Sequence, residues 1–417
     1  MDVNGQTSNI SNFKMPTPFE LSQLGIKLTN IQMVNEIDEL RKTPPNIVIA
    51  ECVKNVFFKQ NQYFRPQQLL KRGKYVMSLG VYHQLHFDTQ RNIKILKPSG
   101  LKFDKIFKPY TGQDLSNKTL LIWRTGGLGD ILFISPNIKH LKEIYPNCKI
   151  IFACGPQYQA MVKTWKFIDR VVDLPFSIRD LLDSDYHCIF EGVIERTKQA
   201  ERENAYRLFT KWMGLNLPDD KLLPKQEVEI EALERCRNTL KEWNIDEKSY
   251  IVMQMRASSP IRTPRPVLFK KLINKLTEKG HNVILTDLPR MEQTISKFID
   301  ELDNKEKVFN FSKYSKEISD TIALTSLAKL STGTDSALMH ISISVGTPIF
   351  GLYGPFPGNI RLETYPENMR DWVDAKVDCS PCFIHSMYPC KNTTNGFPKC
   401  YDVLDIDEIV ERIERLL

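Results

Sequence analysis

Residues 118–155, KTLLIWRTGGLGDILFISPNIKHLKEIYPNCKIIFACG, decide the fold. The apolar run TLLIWR breaks into a glycine-rich turn, Gly126-Gly127-Leu128-Gly129. A helical stretch follows from about Ile131 to Ile144 and closes at Tyr145-Pro146, and then comes a second apolar run, KIIFACG. Parallel strands are buried on both faces and need a long connection, so a helix between two short apolar runs reads as a β-α-β unit. RVVDLP and YHCIFEG extend the series. Charge-rich, helical residues 196–245 lead to a second one: YIVMQMR, PVLFKKLINKLTEKG, NVILTD, a helix near 290–302, VFNFS, a helix around 316–328, LSTGTD, a further helix and TPIFGLYG. Two such series in tandem predict an α/β protein of two Rossmann-like domains. Ligands then bind in the cleft at the C-terminal ends of the strands.

A chain of 417 residues is too long for one compact core. Around the two domains, 118–245 and 246–375, the sequence divides into a polar segment 1–50 with a helix around Leu21–Arg41, a small mostly β domain 51–117, a cysteine finger 376–402 and a C-terminal helix 403–417. Residues 51–118 hold thirteen Lys and Arg against four Asp and Glu, an excess of nine, whereas the whole chain nets +7. Such a segment suits a phosphate-bearing partner such as nucleic acid, lipopolysaccharide or anionic lipid, or is simply a solvated basic surface. No apolar run approaches the roughly 18–20 residues of a membrane helix. The first residues lack the basic-then-apolar order of a signal peptide. The expectation is a cytoplasmic protein.

Three motifs carry chemistry. In the first, Gly127 and Gly129 allow a tight turn and a close ligand, and Asp130 follows at the helix start. A carboxylate there is either a general base aimed into the cleft or a helix cap. The second is STGTDSALMHISISVGTPIFGLYGPFPG, residues 331–358. A strand runs into Gly333-Thr334-Asp335-Ser336-Ala337, where a helix begins, and free N–H groups at a helix start suit a diphosphate. His340 lies in the first turns of that helix, as a donor to phosphate or ribose or as a packed side chain. The third is CxxC followed by two further cysteines, at Cys379, Cys382, Cys390 and Cys400. The set fits a closed tetrahedral thiolate site for a structural zinc or iron, with free thiols or disulfides as alternatives. Such a finger is expected to stand beside the cleft and leave the nucleotide site intact when opened. The other five cysteines are scattered, and a signal-less chain is a poor candidate for a disulfide framework.

Residues 120–417 resemble the lipopolysaccharide heptosyltransferase family, glycosyltransferase family 9, of GT-B fold. The Gly-Asp turn with its helix and Tyr-Pro, then G-x-D-S-x-x-x-H at 333–340 and G-T-P-x-x-x-L-Y-G-P at 346–355, carry the likeness. The resemblance implies inverting transfer of a heptose or related sugar from an ADP-sugar, without a catalytic metal, onto a glycan or protein hydroxyl. It implies that Asp130 is the base and that Thr334, Asp335, Ser336 and His340 form the donor loop, with Ala337 where Gly is usual. The family's phosphate-holding Lys falls in RASSPIRTPRP, where Arg262 is the first substitute and Arg256 the next. Glu292 matches an acidic donor contact. Similar cysteine fingers, holding iron, and an extra N-terminal domain mark the autotransporter-directed heptosyltransferases of this family.

Two other readings stay open. A phage-type transferase acting on modified DNA bases would use the basic segment, although no sequence-reading motif supports it. A non-catalytic nucleotide-sugar-binding protein would have little reason to keep Asp130. A nicotinamide oxidoreductase is disfavoured by the glycine spacing.

Overall fold

The computed structural model describes residues 34–41, 47–58, 68–78, 93–95, 106–384, 390 and 392–417. The N-terminal part supplies β1 (Ile47–Cys52), β2 (Val56–Phe58), β3 (Gln68–Leu70), β4 (Gly73–Ser78) and β5 (Ile93–Ile95). The first parallel unit supplies β6 (Thr119–Trp123), β7 (Lys149–Cys154), β8 (Arg170–Asp173), the two-residue β9 (Phe176–Ser177) and β10 (Tyr186–Ile189). The second supplies β11 (Tyr250–Gln254), β12 (Asn282–Leu285), β13 (Val308–Asn310), β14 (Leu330–Thr334), β15 (Ile349–Tyr353) and β16 (Arg370–Asp374).

The two expected sheets are present, and both are fully parallel. The first runs β10-β6-β7-β8 and the second β13-β12-β11-β14-β15-β16. The second is the doubly wound order, with its switch point between β11 and β14. Its central strands are almost wholly buried, as their unbroken apolar runs require. Alternate residues of β11 enter different cores: Ile251 and Met253 pack under the helices Pro266–Glu278 and Ile406–Leu416, while Tyr250 and Val252 face the other layer. Asp405 caps the last helix by accepting from the N–H groups of Asp407 and Glu408. Its buried face of Ile409, Val410 and Ile413 closes the second domain, each side chain contributing roughly 1.5–3 kcal/mol.

The N-terminal region differs from expectation. The break expected at residue 50 falls inside β1, and the small sheet is not a free-standing domain. Its order is β5-β1-β4-β9, so its last strand belongs to the first parallel unit. Ile49 and Val76 share a core with Leu121, Trp123, Ile151 and Phe176 of that unit. Ala50, Cys52, Met77 and Ile93, on the opposite face, form a small core with Val56 and Leu70. Period-2 alternation thus gives the sheet two apolar faces, and one is laid on the neighbour. Of the helix expected around Leu21–Arg41, Ile37–Leu40 is seen, and residues 21–33 lie outside the described residues. Among the described residues no helix is long and apolar enough to cross a membrane.

Candidate functional site

The C-terminal ends of the two sheets meet along one seam. From the first comes α1 (Leu128–Ile144) and from the second α2 (Ala337–Ser344), and the start of each faces the other. Phe133 of α1 meets the His340 ring edge-on at 4.6 Å. Gly129 lies against the same ring: a Cβ there would stand 2.8 Å from His340 Cδ2. A side chain at position 129 would therefore push the two domains apart.

Gly127 is the residue before α1 and adopts φ 78, open to glycine at little cost. A Cβ on it would stand 2.0 Å from Asp130 Oδ2, because the Asp130 carboxylate folds back over the turn. Asp130 is thus not the cap of α1, which has no side-chain cap bond. Its partner is Arg124, the residue after β6, whose Nη2 donates to Oδ2. Arg124 is buried and spends its other donors on Gly126 O (2.8 Å), Phe190 O (2.9 Å) and both oxygens of Glu195. Glu191, just past β10, accepts from the Thr125 N–H. Three carboxylates thus surround one guanidinium. Burial pushes the Asp130 carboxyl above its ordinary value; Arg124 opposes this and Glu195 adds to it. Burial likewise raises Glu191.

Arg124, Glu191 and Glu195 were not singled out from the sequence. Their one signal is position: β6 and β10 are neighbours, so the residues following each strand share a site 66 to 71 positions apart in the chain.

Across the seam, Gln254 at the end of β11 pairs with Gly333 of β14, and Ser336 Oγ donates to Gln254 Oε1 at 2.8 Å. Thr334 is buried and Ala337 opens α2, whose first N–H groups have no intrahelical acceptors. Asp335 is buried between two arginines. Arg262 Nη1 donates to its carbonyl at 2.8 Å and lies 3.4 Å from Oδ2, and Arg361 Nε lies 3.5 Å from the same oxygen. Arg361, also missed in the sequence, rests over the Phe356 ring at 4.1 Å. Asp335 therefore stands as the anion between two cations. His340 is buried, with Nδ1 bonded to the Tyr365 hydroxyl. Burial lowers its pKa to about 3, so the ring is neutral. With Tyr365 donating, the proton sits on Nε2, on the edge toward Gly129.

Arg262, Asp335, Ser336 and His340 come together as expected; Arg256 and Glu292 do not join them. Arg256 Nη1 lies 2.7 Å from Met291 Sδ, and its Nε is 3.8 Å from Asp287, past β12. Glu292 begins a helix whose first carbonyl accepts from Asn310 at the end of the edge strand β13. There it lines a cavity of about 300 Å³ with Trp243, Ser296, Phe309 and Lys313. Both stand beyond the switch point, on the β12–β13 side.

The four cysteines of the finger gather but do not close. Asn392 Nδ2 donates to Cys379 Sγ at 3.7 Å, and Cys390 Sγ donates to Asn392 O at 3.3 Å. Burial pushes the Cys400 thiol up to about 12, and the other three cysteines add to the effect. Among the described residues no group of three or more His, Cys, Asp or Glu side chains is arranged to hold a metal; residues 385–389 and 391 of the finger lie outside that set. Nor is the finger independent of the cleft. Ser380 Oγ donates to Gly354 O (2.6 Å), the Phe383 N–H to Pro355 O (2.8 Å), and Phe383 meets Phe356 edge-on. A Cβ on Gly354 would stand 3.0 Å from Cys400 Sγ. Contacts thus run from the cysteines through Gly354, Pro355 and Phe356 to Arg361 and Asp335. The expectation that opening the finger leaves this site untouched does not fit that packing.

Residues 194–389 match the model of glycosyltransferase family 9 (heptosyltransferase). No curated protein is a significant match to the sequence. Among solved structures the chain is similar to a family 9 glycosyl transferase from Veillonella parvula, at 13% identity over 73% of this chain and 98% of that one, with a TM-score of 0.57. It is similar to ADP-heptose LPS heptosyltransferase II of E. coli, at 14% identity over 72% and 98%, TM-score 0.53. It is also similar to the iron-containing dodecameric glycosyltransferase TibC of enterotoxigenic E. coli, at 12% identity over 90% and 92%, TM-score 0.52. At such identities the likeness is one of fold, and that fold is the GT-B arrangement of two Rossmann-like domains. Family match and fold agree: residues 194–389 are similar to glycosyltransferase family 9, the heptosyltransferases, and the fold is that of a glycosyltransferase.

Proposed function

We propose that this glycosyltransferase moves a heptose or related sugar from an ADP-sugar onto a hydroxyl of a glycan or protein, with inversion at the anomeric carbon. Asp130 takes the hydroxyl proton as the acceptor oxygen attacks that carbon. The bond from the carbon to the diphosphate breaks, and its electron pair leaves with ADP. Arg262 and Arg361 offset the charge that grows on the departing diphosphate, together with the first N–H groups of α2. With two arginines and a helix start at that position, the chemistry needs no catalytic metal. His340 offers an Nε2–H donor at the seam. The observation that carries the reading is the apposition of the Gly127–Asp130 turn to α2, through the contact of Gly129 with His340. The ADP donor is supported by the structural neighbour that is an ADP-heptose heptosyltransferase.

Four cysteines on one short segment are the donor chemistry of a structural zinc or iron, since thiolates favour a soft or borderline cation. Their mutual effect on Cys382 and Cys400 puts them within electrostatic reach, and the iron-containing neighbour supports iron. Cys379, Cys382, Cys390 and Cys400 would hold the ion, which would stiffen the finger and take no part in the transfer.

Calorimetry of the purified chain tests the donor assignment. ADP should bind more tightly than UDP. Arg262→Ala should weaken ADP by about 10- to 100-fold, the size of a lost charge-assisted hydrogen bond. Tighter UDP binding, or an unchanged Arg262→Ala, would overturn it.

A further inference from the structure

We propose that Glu195 is a positioning residue which, through Arg124, sets how readily Asp130 accepts a proton. The inference rests on the reading of Asp130 as the base. A carboxylate clamped by an arginine alone is a poor base, because the cation stabilises its charged form. The geometry here avoids that. Arg124 has five N–H donors, and the structure commits all of them: Nε to Gly126 O, Nη1 to Phe190 O and Glu195 Oε2, Nη2 to Asp130 Oδ2 and Glu195 Oε1. Glu195 is the two-pronged partner and Asp130 is held through one oxygen. The guanidinium is also fixed by backbone carbonyls from both strand ends, so it keeps its place when Asp130 becomes neutral.

The charges facing Asp130 are Arg124, Glu191 and Glu195 on its own side, with Arg361 and the neutral His340 across the seam. The near side alone carries three carboxylates against one guanidinium. Protonating Asp130 there relieves repulsion from Glu195, which lies on the same Arg124 nitrogen. Glu195 thereby returns to Asp130 the basicity that Arg124 would withhold.

The test uses the full chain labelled with [γ-13C]aspartate, the Asp130 signal being assigned by its loss in Asp130→Asn. In Glu195→Gln the Asp130 titration should move down by about one pH unit, as expected when a like charge within hydrogen-bonding range of the shared cation is removed. Arg124→Gln should move it up, and Glu195→Asp should largely restore it. The acid limb of ADP release from ADP-heptose, with water as acceptor, should shift the same way. A role confined to holding the turn together would lower release at all pH values and leave the titration in place. An unmoved Asp130 titration in a folded Glu195→Gln protein overturns the proposal. Should Arg124→Gln not fold, the Glu195→Gln and Glu195→Asp pair still decides it. Full ADP release by Asp130→Asn would instead overturn the reading of the base, whatever Glu195 does to the titration.

Discussion

Replacing His340 by Gln should change the pH dependence of stability in a calculable way. The imidazole is buried at the domain seam against Phe133, Gly129 and Tyr365. Burial lowers its pKa from 6.5 to about 3, with Asp335 opposing and Arg361 and Arg262 reinforcing. In the unfolded chain the ring gains its proton near 6.5; in the folded chain it stays neutral until near 3. Between those values the unfolded state binds a proton that the folded state refuses. This part of the stability is therefore full above about pH 6.5 and is lost as pH falls, by about 1.4 kcal/mol per pH unit. From pH 7.5 to 4.5 the loss is about 2.7 kcal/mol, nearly all of it below pH 6.5. Denaturant unfolding at pH 7.5, 6.5, 5.5 and 4.5, followed by tryptophan fluorescence, reads it. His340→Gln should be the less stable protein at pH 7.5, for want of the ring contacts. The gap to the parent should narrow steadily below pH 6.5, because the variant has no ring to protonate. A gap of the same size at all four pH values would mean that the ring is protonated alike in the folded and unfolded chains.

The cysteine finger gives two further expectations. The purified chain should contain about one zinc or iron, and Cys379→Ser should release it, as expected for tetrahedral four-sulfur chemistry; a metal-free protein with four freely titratable thiols would remove the ion from the account. Cys400→Ser should also weaken ADP binding, through Gly354, Phe356 and Arg361, and unchanged ADP affinity in a metal-free Cys400→Ser protein would show that the contacts do not transmit.

The parallel sheets were legible because their strands are short apolar runs separated by helix-length stretches, as in TLLIWR and YIVMQMR. The small N-terminal sheet was legible as β structure but not in its placement. Nothing in the two residues Phe176-Ser177 announces that they complete a sheet begun at Ile47. Within the site, residues on a glycine-rich turn were found from local sequence. Asp130, Asp335 and Ser336 each sit where a strand gives way to a helix, and that transition has a sequence signature. Glu191, Glu195 and Arg361 were not found, because their role comes from strand order and from the seam between domains. Arg256 and Glu292 show the converse: both lie at strand ends of the right domain, but the strand order sends them toward β13 rather than to Asp335. Asp335 itself was legible as a site residue, while its role as the anion between Arg262 and Arg361 needed the fold.

The central claim is that Asp130 is the base of a sugar transfer whose donor is held by the second domain. It is tested most directly by measuring ADP release from ADP-heptose and ADP affinity on the same samples of parent and Asp130→Asn protein. The account predicts that release falls by roughly 10²–10⁴-fold, the usual contribution of a general base, with ADP affinity unchanged. Near-parental release by Asp130→Asn would contradict it.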